Sequence, residues 1–267
     1  MNTIEVHSIY EYLELVSTLA GDTSADDRVE LWYRGSSSLD FGLVPSLYWR
    51  EQAEWEGNFI SKFLVRYKAY VTESIDSPWE QFALMQHYGL PTRLLDWSRS
   101  PLNALYFALT QNPNSNTDRV VWILPPYELN EHNLGLASIF CPGILQSRHL
   151  KVDKEKAINL DAYLPQALDP LDHYSLPEKA IAIESPLSGA RIKSQQGCFT
   201  LHGSLLDGIE KQFTKASAPY LAAVVLKTKG NIDSFLNPLL AWGINEEYIY
   251  QDLDSMTRNI LKLEGIF

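Results

Sequence analysis

The chain has 267 residues, of which 45% are hydrophobic and 12% aromatic, so it can bury a substantial core, which excludes a disordered or fibrous protein. Its 22 Lys and Arg against 33 Asp and Glu leave a formal net charge of −11, which disfavours sequence-independent nucleic-acid binding and a membrane-surface role. The two cysteines, Cys141 and Cys198, exclude a disulfide scaffold and a structural zinc site, and the N-terminus has no signal-peptide pattern. We therefore expect a cytoplasmic protein without membrane contact.

The first half of the chain is predicted to alternate helices with short strands. The expected elements are a helix over 9–19, a strand over 30–35, helices over 55–71 and 79–87, an ordered loop over 90–98 and a buried helix over 101–110. Gly89 and Pro91 end the fourth of these elements. The last helix is expected to begin at a hydroxyl cap, Ser98 or Ser100, because Pro101 suits the first helical position.

The second half contains the expected strands 119–124, 180–184, 197–202 and 220–227 and the expected helices 232–242 and 254–263. Residues 126–178 are rich in Asn, Asp and Pro, and we expect helical turns and a surface insertion there, with a lid as one role. No repeat or flexible linker divides the chain, so we predict a single α+β domain over 1–267. An N-terminal helix would occupy 1–25, and the core would span 26–267.

The densest group of chemically active side chains lies in residues 86–98, which read QHYGLPTRLLDWS. A loop held by proline and buried leucines is a common mount for binding groups, and His87 and Tyr88 lie beside the turn. An architectural interpretation is equally open: Arg93 and Asp96 would pair to hold the loop, while His87 and Tyr88 would donate to nearby carbonyls.

A second candidate is Arg34, which ends an apolar strand between Tyr33 and Gly35. Its guanidinium offers a planar donor fork for phosphate or carboxylate, and the glycine would let a ligand approach closely. A strand-end salt bridge is the alternative. A third candidate is Gln195 with Gln196, whose amides would read a polar ligand or cap a sheet edge but cannot act as general bases.

These segments together resemble the FRG domain family, from about residue 29 to residue 260. The matching elements are Tyr33-Arg34-Gly35, Leu43-Val44-Pro45-Ser46-Leu47, the QHYGLPTRLLDWS run, Ala104-Leu105-Tyr106-Phe107-Ala108, Arg191 with QQGCF, and the late segments Trp242-Gly243-Ile244 and Tyr250-Gln251-Asp252-Leu253-Asp254. Tyr33 stands where the family name has Phe. Such domains are common in phage-defence and mobile-element settings, so the resemblance implies a defence effector or toxin.

A weaker resemblance is to the three elements of ADP-ribosyltransferases: a strand ending in Tyr33-Arg34-Gly35, then Leu95-Asp96-Trp97-Ser98 leading into Leu105-Tyr106-Phe107-Ala108, and third Gln195 and Gln196 before the strand over 197–202. This resemblance implies a split, mostly antiparallel sheet with flanking helices and NAD as the substrate. Arg34 would grip the pyrophosphate, His87 or Tyr88 would contact the nicotinamide ribose or ring, Ser98 would lie under that ribose, and Gln195 would contact a ribose hydroxyl. The remaining residues expected near NAD are Gly35, Gln86, Thr92, Arg93, Asp96 and Gln196.

The third element departs from that pattern, because Gln195 stands where those enzymes carry a glutamate. A neutral amide supplies no negative charge to a developing cation. Glu184 would fill the gap if residues 185–194 folded back, and Asp96 is a second candidate. Two functions stay open: an NAD-consuming enzyme with an unidentified protein or nucleic-acid acceptor, and a non-catalytic module that senses a nucleotide or binds a partner. A nuclease using Arg34, His87 and Asp96 ranks last, because the sequence has no metal-ligand spacing or paired histidines.

Overall fold

Strands from both ends of the chain build one mixed sheet. The computed structural model describes residues 2–23, 30–71, 75–143, 150–153, 156–169, 175–186, 190–212, 221–228 and 230–266. Its strands are β1 (Asn2–Val6), β2 (Trp32–Ser36), β3 (Leu94–Ser98), β4 (Arg119–Leu124), β5 (Leu150–Asp153), β6 (Lys156–Ile158), β7 (Ile181–Glu184), β8 (Gly197–Leu201) and β9 (Ala222–Leu226). The seven-stranded sheet has the order β1-β9-β4-β2-β3-β8-β7, and β5 and β6 form a separate pair. In the large sheet β1 and β9 are parallel and the other neighbours are antiparallel.

The large sheet opens between β2 and β3. β2 pairs with β4 along its whole length, and β3 does the same with β8. Between β2 and β3, however, the register of these described strands contains one pair, Tyr33 with Ser98. The sheet is therefore continuous on either side of this junction and parted at it, which creates a gap that side chains can line.

Helices flank the sheet, which confirms the predicted α+β class. They are α1 (Ile9–Thr23), α2 (Ser46–Trp49), α3 (Glu56–Arg66), α4 (Pro78–His87), α5 (Pro101–Thr110), α6 (Pro126–Leu134), α7 (Ala190–Gln195), α8 (Ile209–Gln212), α9 (Asp233–Ala241), α10 (Glu246–Tyr250) and α11 (Leu253–Leu263), with 3-10 turns at Ala53–Trp55, Tyr67–Ala69 and Leu160–Tyr163. The predicted start of α5 is confirmed: Pro101 occupies the first turn, and Ser100 Oγ accepts from the Asn103 N–H at 3.3 Å.

The turn after α4 shows why its sequence stops a helix. Gly89 adopts φ +79°, a left-handed conformation that costs glycine little. The Gly89 N–H donates to the Gln86 carbonyl at 2.9 Å, and the Leu90 N–H donates to the Met85 carbonyl at 3.0 Å. These two bonds form a Schellman cap, which turns the chain sharply towards β3.

Apolar side chains pack on both faces of the sheet, as β4 shows most clearly. Val121 and Ile123 join one buried cluster with residues of α1, α5 and α9. Val120 and Trp122 belong to a second cluster on the other face, because successive strand residues point in opposite directions. The core therefore lies on both sides of the strands that border the gap.

The N-terminal prediction is corrected by β1, which precedes the helix, so the chain does not begin with a helix over 1–25. Asn2–Val6 pairs in parallel with Ala222–Leu226, a partner that lies far along the chain. The helix itself runs to Thr23, beyond the predicted end at residue 19. Residues 24 and 25 lie outside the described residues.

Two further predictions need correction. Residues 94–98 form strand β3 and are not part of a loop, because β8 supplies a full-length partner. Parts of 126–178 belong to the core and not to a surface insertion. Leu129 and Leu160 are fully buried, and the Trp79 indole donates to the Asp161 carboxylate at 2.8 Å.

Candidate functional site

A cleft of about 330 Å³ lies at the gap between β2 and β3. Its walls come from these two strands and from α4, α5, α7, β8 and α10. The sequence-predicted residues that line it are Arg34, Gly35, Gln86, His87, Asp96, Ser98 and Gln195. Tertiary structure thus brings together side chains from three separate segments of the sequence. Among the described residues, 126–178 contributes none to this lining, so nothing described there lies over the cleft as a lid.

Arg34 joins the two separated halves of the sheet. Its Nη1 donates to the backbone carbonyl of Asp96 at 2.7 Å. Burial lowers the pKa of the Arg34 guanidinium, and the Asp96 carboxylate acts in the opposite direction. An arginine keeps its charge in proteins, so the cleft holds a fixed cation at the junction of β2 and β3.

The Asp96 carboxylate is held by a chain of side-chain hydrogen bonds. The Thr92 hydroxyl donates to Gln86 Oε1 at 2.6 Å, and Gln86 Nε2 donates to Asp96 Oδ2 at 2.6 Å. Thr92 Oγ1 also accepts from the Leu94 N–H at 3.1 Å. Asp96 is exposed in the cleft, whereas Thr92 is buried. These three residues of the QHYGLPTRLLDWS run therefore act as one unit, which we call the Thr92–Gln86–Asp96 chain.

Ser98 and its neighbours fix the turn between α7 and β8. The Ser98 hydroxyl donates to the Gln195 carbonyl at 2.6 Å, and the Asn103 side chain donates to the Ser194 carbonyl at 2.8 Å. Gln195 Nε2 in turn donates to the Ile249 carbonyl at 3.2 Å. The Ser98 hydroxyl and the Gln195 amide thus both make protein contacts at the edge of the cleft, and those bonds orient them.

Sequence reasoning assigned no role in the site to Arg191 and Tyr250, although both line the cleft. The Arg191 guanidinium lies over the Tyr250 ring, 4.9 Å from its centroid, a cation–π contact. Burial raises the pKa of the Tyr250 hydroxyl, and Arg191 opposes this. No local pattern in the sequence indicates that α7 and α10 meet.

His87 faces the same cleft as a half-buried imidazole. Burial lowers its pKa and the Arg191 charge lowers it further, while the Asp96 carboxylate acts in the opposite direction. The lowered pKa favours a neutral ring at neutral pH, which can donate one hydrogen bond and accept another.

Five predicted site residues do not line the cleft, namely Tyr88, Thr92, Arg93, Glu184 and Gln196. Tyr88 is 70% exposed, and its ring packs edge-on against His87 at a centroid distance of 5.1 Å. Glu184 forms an ion pair with Arg99, which also binds Glu30. Gln196 is exposed, and its carbonyl accepts from the Arg99 N–H at 3.1 Å. Proximity to the motif in sequence therefore did not ensure a position in the cleft.

The predicted pairing of Arg93 with Asp96 is wrong. Arg93 is buried and its Nε donates to both oxygens of Glu56, at 2.9 and 3.1 Å. Its Nη1 donates to the His202 carbonyl at 3.0 Å, and its Nη2 donates to the Tyr163 carbonyl. In an extended segment, residues three apart point to opposite faces, so the two side chains diverge.

Gly35 serves helix packing. A Cβ at this position would lie 2.0 Å from the Ala104 carbonyl oxygen and 2.4 Å from the Ala108 nitrogen, both in the backbone of α5. The missing side chain therefore lets α5 press against β2. Gly35 also borders the cleft, and its expected role of letting a ligand approach closely stays a prediction.

One family model matches part of the chain. Residues 29–117 match the family model of the FRG domain. No curated protein and no solved structure matches the chain. The matched segment supplies Arg34 and the Thr92–Gln86–Asp96 chain, whereas Arg191 and Tyr250 lie beyond it.

In the described part of the chain, no group of three or more His, Cys, Asp or Glu side chains is arranged to hold a metal ion. No helix within the described ranges is long and apolar enough to cross a membrane. Residues 29–117, which include β2, α4, β3 and α5, are therefore similar to the FRG domain.

Proposed function

We propose that the cleft binds NAD and that the protein consumes it, either by transferring ADP-ribose to an acceptor or by hydrolysis. The observation that carries this proposal is the presence of two guanidinium groups, Arg34 and Arg191, in one cleft at a parted sheet. They come from β2 and α7, on either side of the gap. Arginine forks match phosphate oxygens well, and a dinucleotide offers two adjacent phosphates.

The rest of the lining suits the other parts of such a ligand. Tyr250 and Phe107 pack edge to face with a centroid distance of 6.4 Å, and both border the cleft. Aromatic walls favour a flat heterocycle such as nicotinamide or adenine. His87, in its neutral form, offers a donor and an acceptor for a ribose hydroxyl. A cleft that combines apolar walls with a few convergent polar groups is typical of small-molecule sites.

A non-catalytic module that senses a nucleotide or binds a partner is the second candidate. It is favoured by Gln195, whose neutral amide donates to the Ile249 carbonyl. Such a residue supplies no charge to a reaction. Gln195→Glu separates the two candidates, because an enzyme is expected to gain rate and a sensor is not. Under either candidate, a cytoplasmic defence effector or toxin is the biological setting that we propose.

The test is one-dimensional NMR of NAD mixed with catalytic amounts of the protein, which follows ligand line-broadening and free nicotinamide. Arg34→Ala and Arg191→Ala are each expected to weaken NAD binding by about tenfold or more, because each removes a charge-assisted bond worth about 1.5–3 kcal/mol. Arg66→Ala is the matched control, since Arg66 is exposed on α3 and does not line the cleft.

Three outcomes are informative. Nicotinamide release that both arginine variants reduce supports an NAD-consuming enzyme. Broadening of the NAD signals without release supports the sensing module. If the unaltered protein neither broadens nor cleaves NAD, or if Arg34→Ala binds NAD as the unaltered protein does, the proposed site is wrong. Circular dichroism of each variant ensures that lost binding does not reflect lost folding.

A further inference from the structure

We infer that Asp96 is the catalytic carboxylate of this cleft and that Gln86 and Thr92 are the positioning residues that hold it. The inference rests on the proposed function and assigns its chemical step. It selects Asp96 over Glu184, the other carboxylate that the sequence offered for the reaction, and it gives the Thr92–Gln86–Asp96 chain a role beyond holding a turn.

Cleavage of NAD at the nicotinamide ribose determines which side chain the cleft must supply. The bond between ribose C1′ and the nicotinamide nitrogen breaks, and its electron pair leaves with neutral nicotinamide. Positive charge develops on the ribose until an oxygen nucleophile, water in the case of hydrolysis, forms the new C1′–O bond and releases its proton to solvent. A fixed negative charge beside the ribose stabilises that developing cation.

Asp96 meets this need better than the alternatives. Among the described residues that line the cleft, it is the one that carries a carboxylate. Glu184 is occupied by its ion pair with Arg99. Gln195 is neutral, and its amide nitrogen is bound to the Ile249 carbonyl. The required charge therefore comes from β3 and not from the α7–β8 turn.

The hydrogen bonds of the Thr92–Gln86–Asp96 chain all run in one direction, from Thr92 towards Gln86 and from Gln86 towards Asp96. The Leu94 N–H donates to Thr92 Oγ1, so the Thr92 hydroxyl proton points to Gln86 Oε1. Because Oε1 is thereby occupied, Gln86 presents its amide nitrogen to Asp96 Oδ2. Residues held in this way keep a reacting group in position without reorganisation. We assign the other carboxylate oxygen of Asp96, Oδ1, to the contact with the ribose.

The Asp96 backbone is held as firmly as its side chain. Arg34 Nη1 donates to its carbonyl at 2.7 Å, and the residue pairs with Phe199 in the β3–β8 ladder. Arg34 thus contacts the strand that carries the carboxylate while it faces the proposed phosphate site. This contact links ligand binding to the position of Asp96.

The experiment measures the dissociation constant for NAD and the rate of nicotinamide release separately. Asp96→Asn preserves size and the acceptor for Gln86, so NAD affinity should stay within about threefold while release falls by about 100-fold or more. Thr92→Val removes the hydroxyl and should lower kcat with little change in KM. Thr92→Ser keeps the hydroxyl and should restore kcat, which a purely steric role would not predict.

The outcomes separate this inference from the proposal it rests on. Loss of release with retained binding in Asp96→Asn, together with rescue by Thr92→Ser, supports the assignment. Release that survives Asp96→Asn overturns the role of Asp96 and leaves NAD consumption intact. If the unaltered protein binds NAD without releasing nicotinamide, the proposed reaction and this inference are both overturned. Equal kcat in Thr92→Val and Thr92→Ser overturns the positioning role.

Discussion

His202 lies fully buried beside Arg93, and neither of its ring nitrogens has a hydrogen-bond partner among the described residues. Its ring packs edge-on against Tyr48 at a centroid distance of 6.4 Å. Burial, with the charges of Arg93 and Arg34, lowers the pKa of this imidazole to about 3. The side chain therefore stays neutral in the folded protein, and its titration couples to stability.

We predict that His202 makes the protein acid-sensitive. Between pH 6.5, its ordinary pKa, and about 3, the unfolded chain takes up a proton that the folded protein does not bind. The free energy of unfolding should thus fall with decreasing pH by up to about 1.4 kcal/mol per unit from this group. In His202→Phe this contribution disappears, and urea unfolding across the window should show a shallower pH dependence.

Tyr48→Phe is the control for that experiment, because it changes the packing partner of His202 and leaves the imidazole in place. Its stability should depend on pH as steeply as that of the unaltered protein. Parallel curves for the unaltered protein and His202→Phe would contradict the prediction.

Several residues of the candidate site were predicted individually from the sequence, but the residues that they contact were not. Arg34, His87 and Asp96 stood out because polar side chains cluster beside a turn or a strand end. Glu56 as the partner of Arg93 was missed. Choosing between Asp96 and Glu56 requires knowing which face of the extended segment each side chain occupies and what packs there.

At the scale of elements, the contact between α5 and β2 depends on Gly35. We predict that Gly35→Ala destabilises the protein by about 3 kcal/mol, the upper end of overpacking costs, because its Cβ would meet helix backbone that no rotamer change can move. The midpoint of urea unfolding measures the effect. A change of less than about 1 kcal/mol would show that α5 can shift away from β2 at low cost.

Gly57 provides a matched control within α3. Nothing lies within 4 Å of an added Cβ at Gly57. Because alanine is the better helix former, Gly57→Ala should stabilise the protein by about 0.5–1 kcal/mol. The same substitution is therefore expected to have opposite signs at the two glycines.

Helices and strands were predicted well where the apolar pattern and the helix- or strand-ending residues agree. They were predicted less well where a strand forms only because it pairs with another strand. β4 occupies the predicted residues 119–124, and α5 occupies 101–110. β3 was taken for a loop because charged residues interrupt its leucines, and β1 was missed because its partner, β9, lies far along the chain. A strand forms where the backbone finds a partner, which local sequence does not contain.

At the scale of the whole molecule, Arg93 connects three distant segments. It binds Glu56 on α3, the Tyr163 carbonyl after the Leu160–Tyr163 turn and the His202 carbonyl after β8. The Arg93 and Glu56 side chains are 2% and 16% exposed. Burial raises the pKa of Glu56, and Arg93 opposes that effect. Removing Arg93 would therefore destabilise the protein mainly by leaving the Glu56 carboxylate without a partner.

We predict that Arg93→Met lowers the free energy of unfolding by about 3 kcal/mol, because it leaves the largely buried Glu56 carboxylate and two carbonyls without their donor. Adding Glu56→Gln should recover part of that loss by removing the stranded charge. Denaturant unfolding of both variants measures this. If the double variant were as unstable as the sum of the single ones, the two residues would not be coupled.

The sequence by itself determined the α+β class, most helices and strands, and the segments that carry the polar groups of the cleft. These features depend on apolar periodicity, caps and breakers within a short stretch of chain. Tertiary structure decided the parting of β2 and β3, the partner of Arg93, and the meeting of Arg191 and Tyr250 with Arg34 and Asp96. Those contacts join residues far apart in sequence, and they follow from sheet register and packing, which no local pattern specifies.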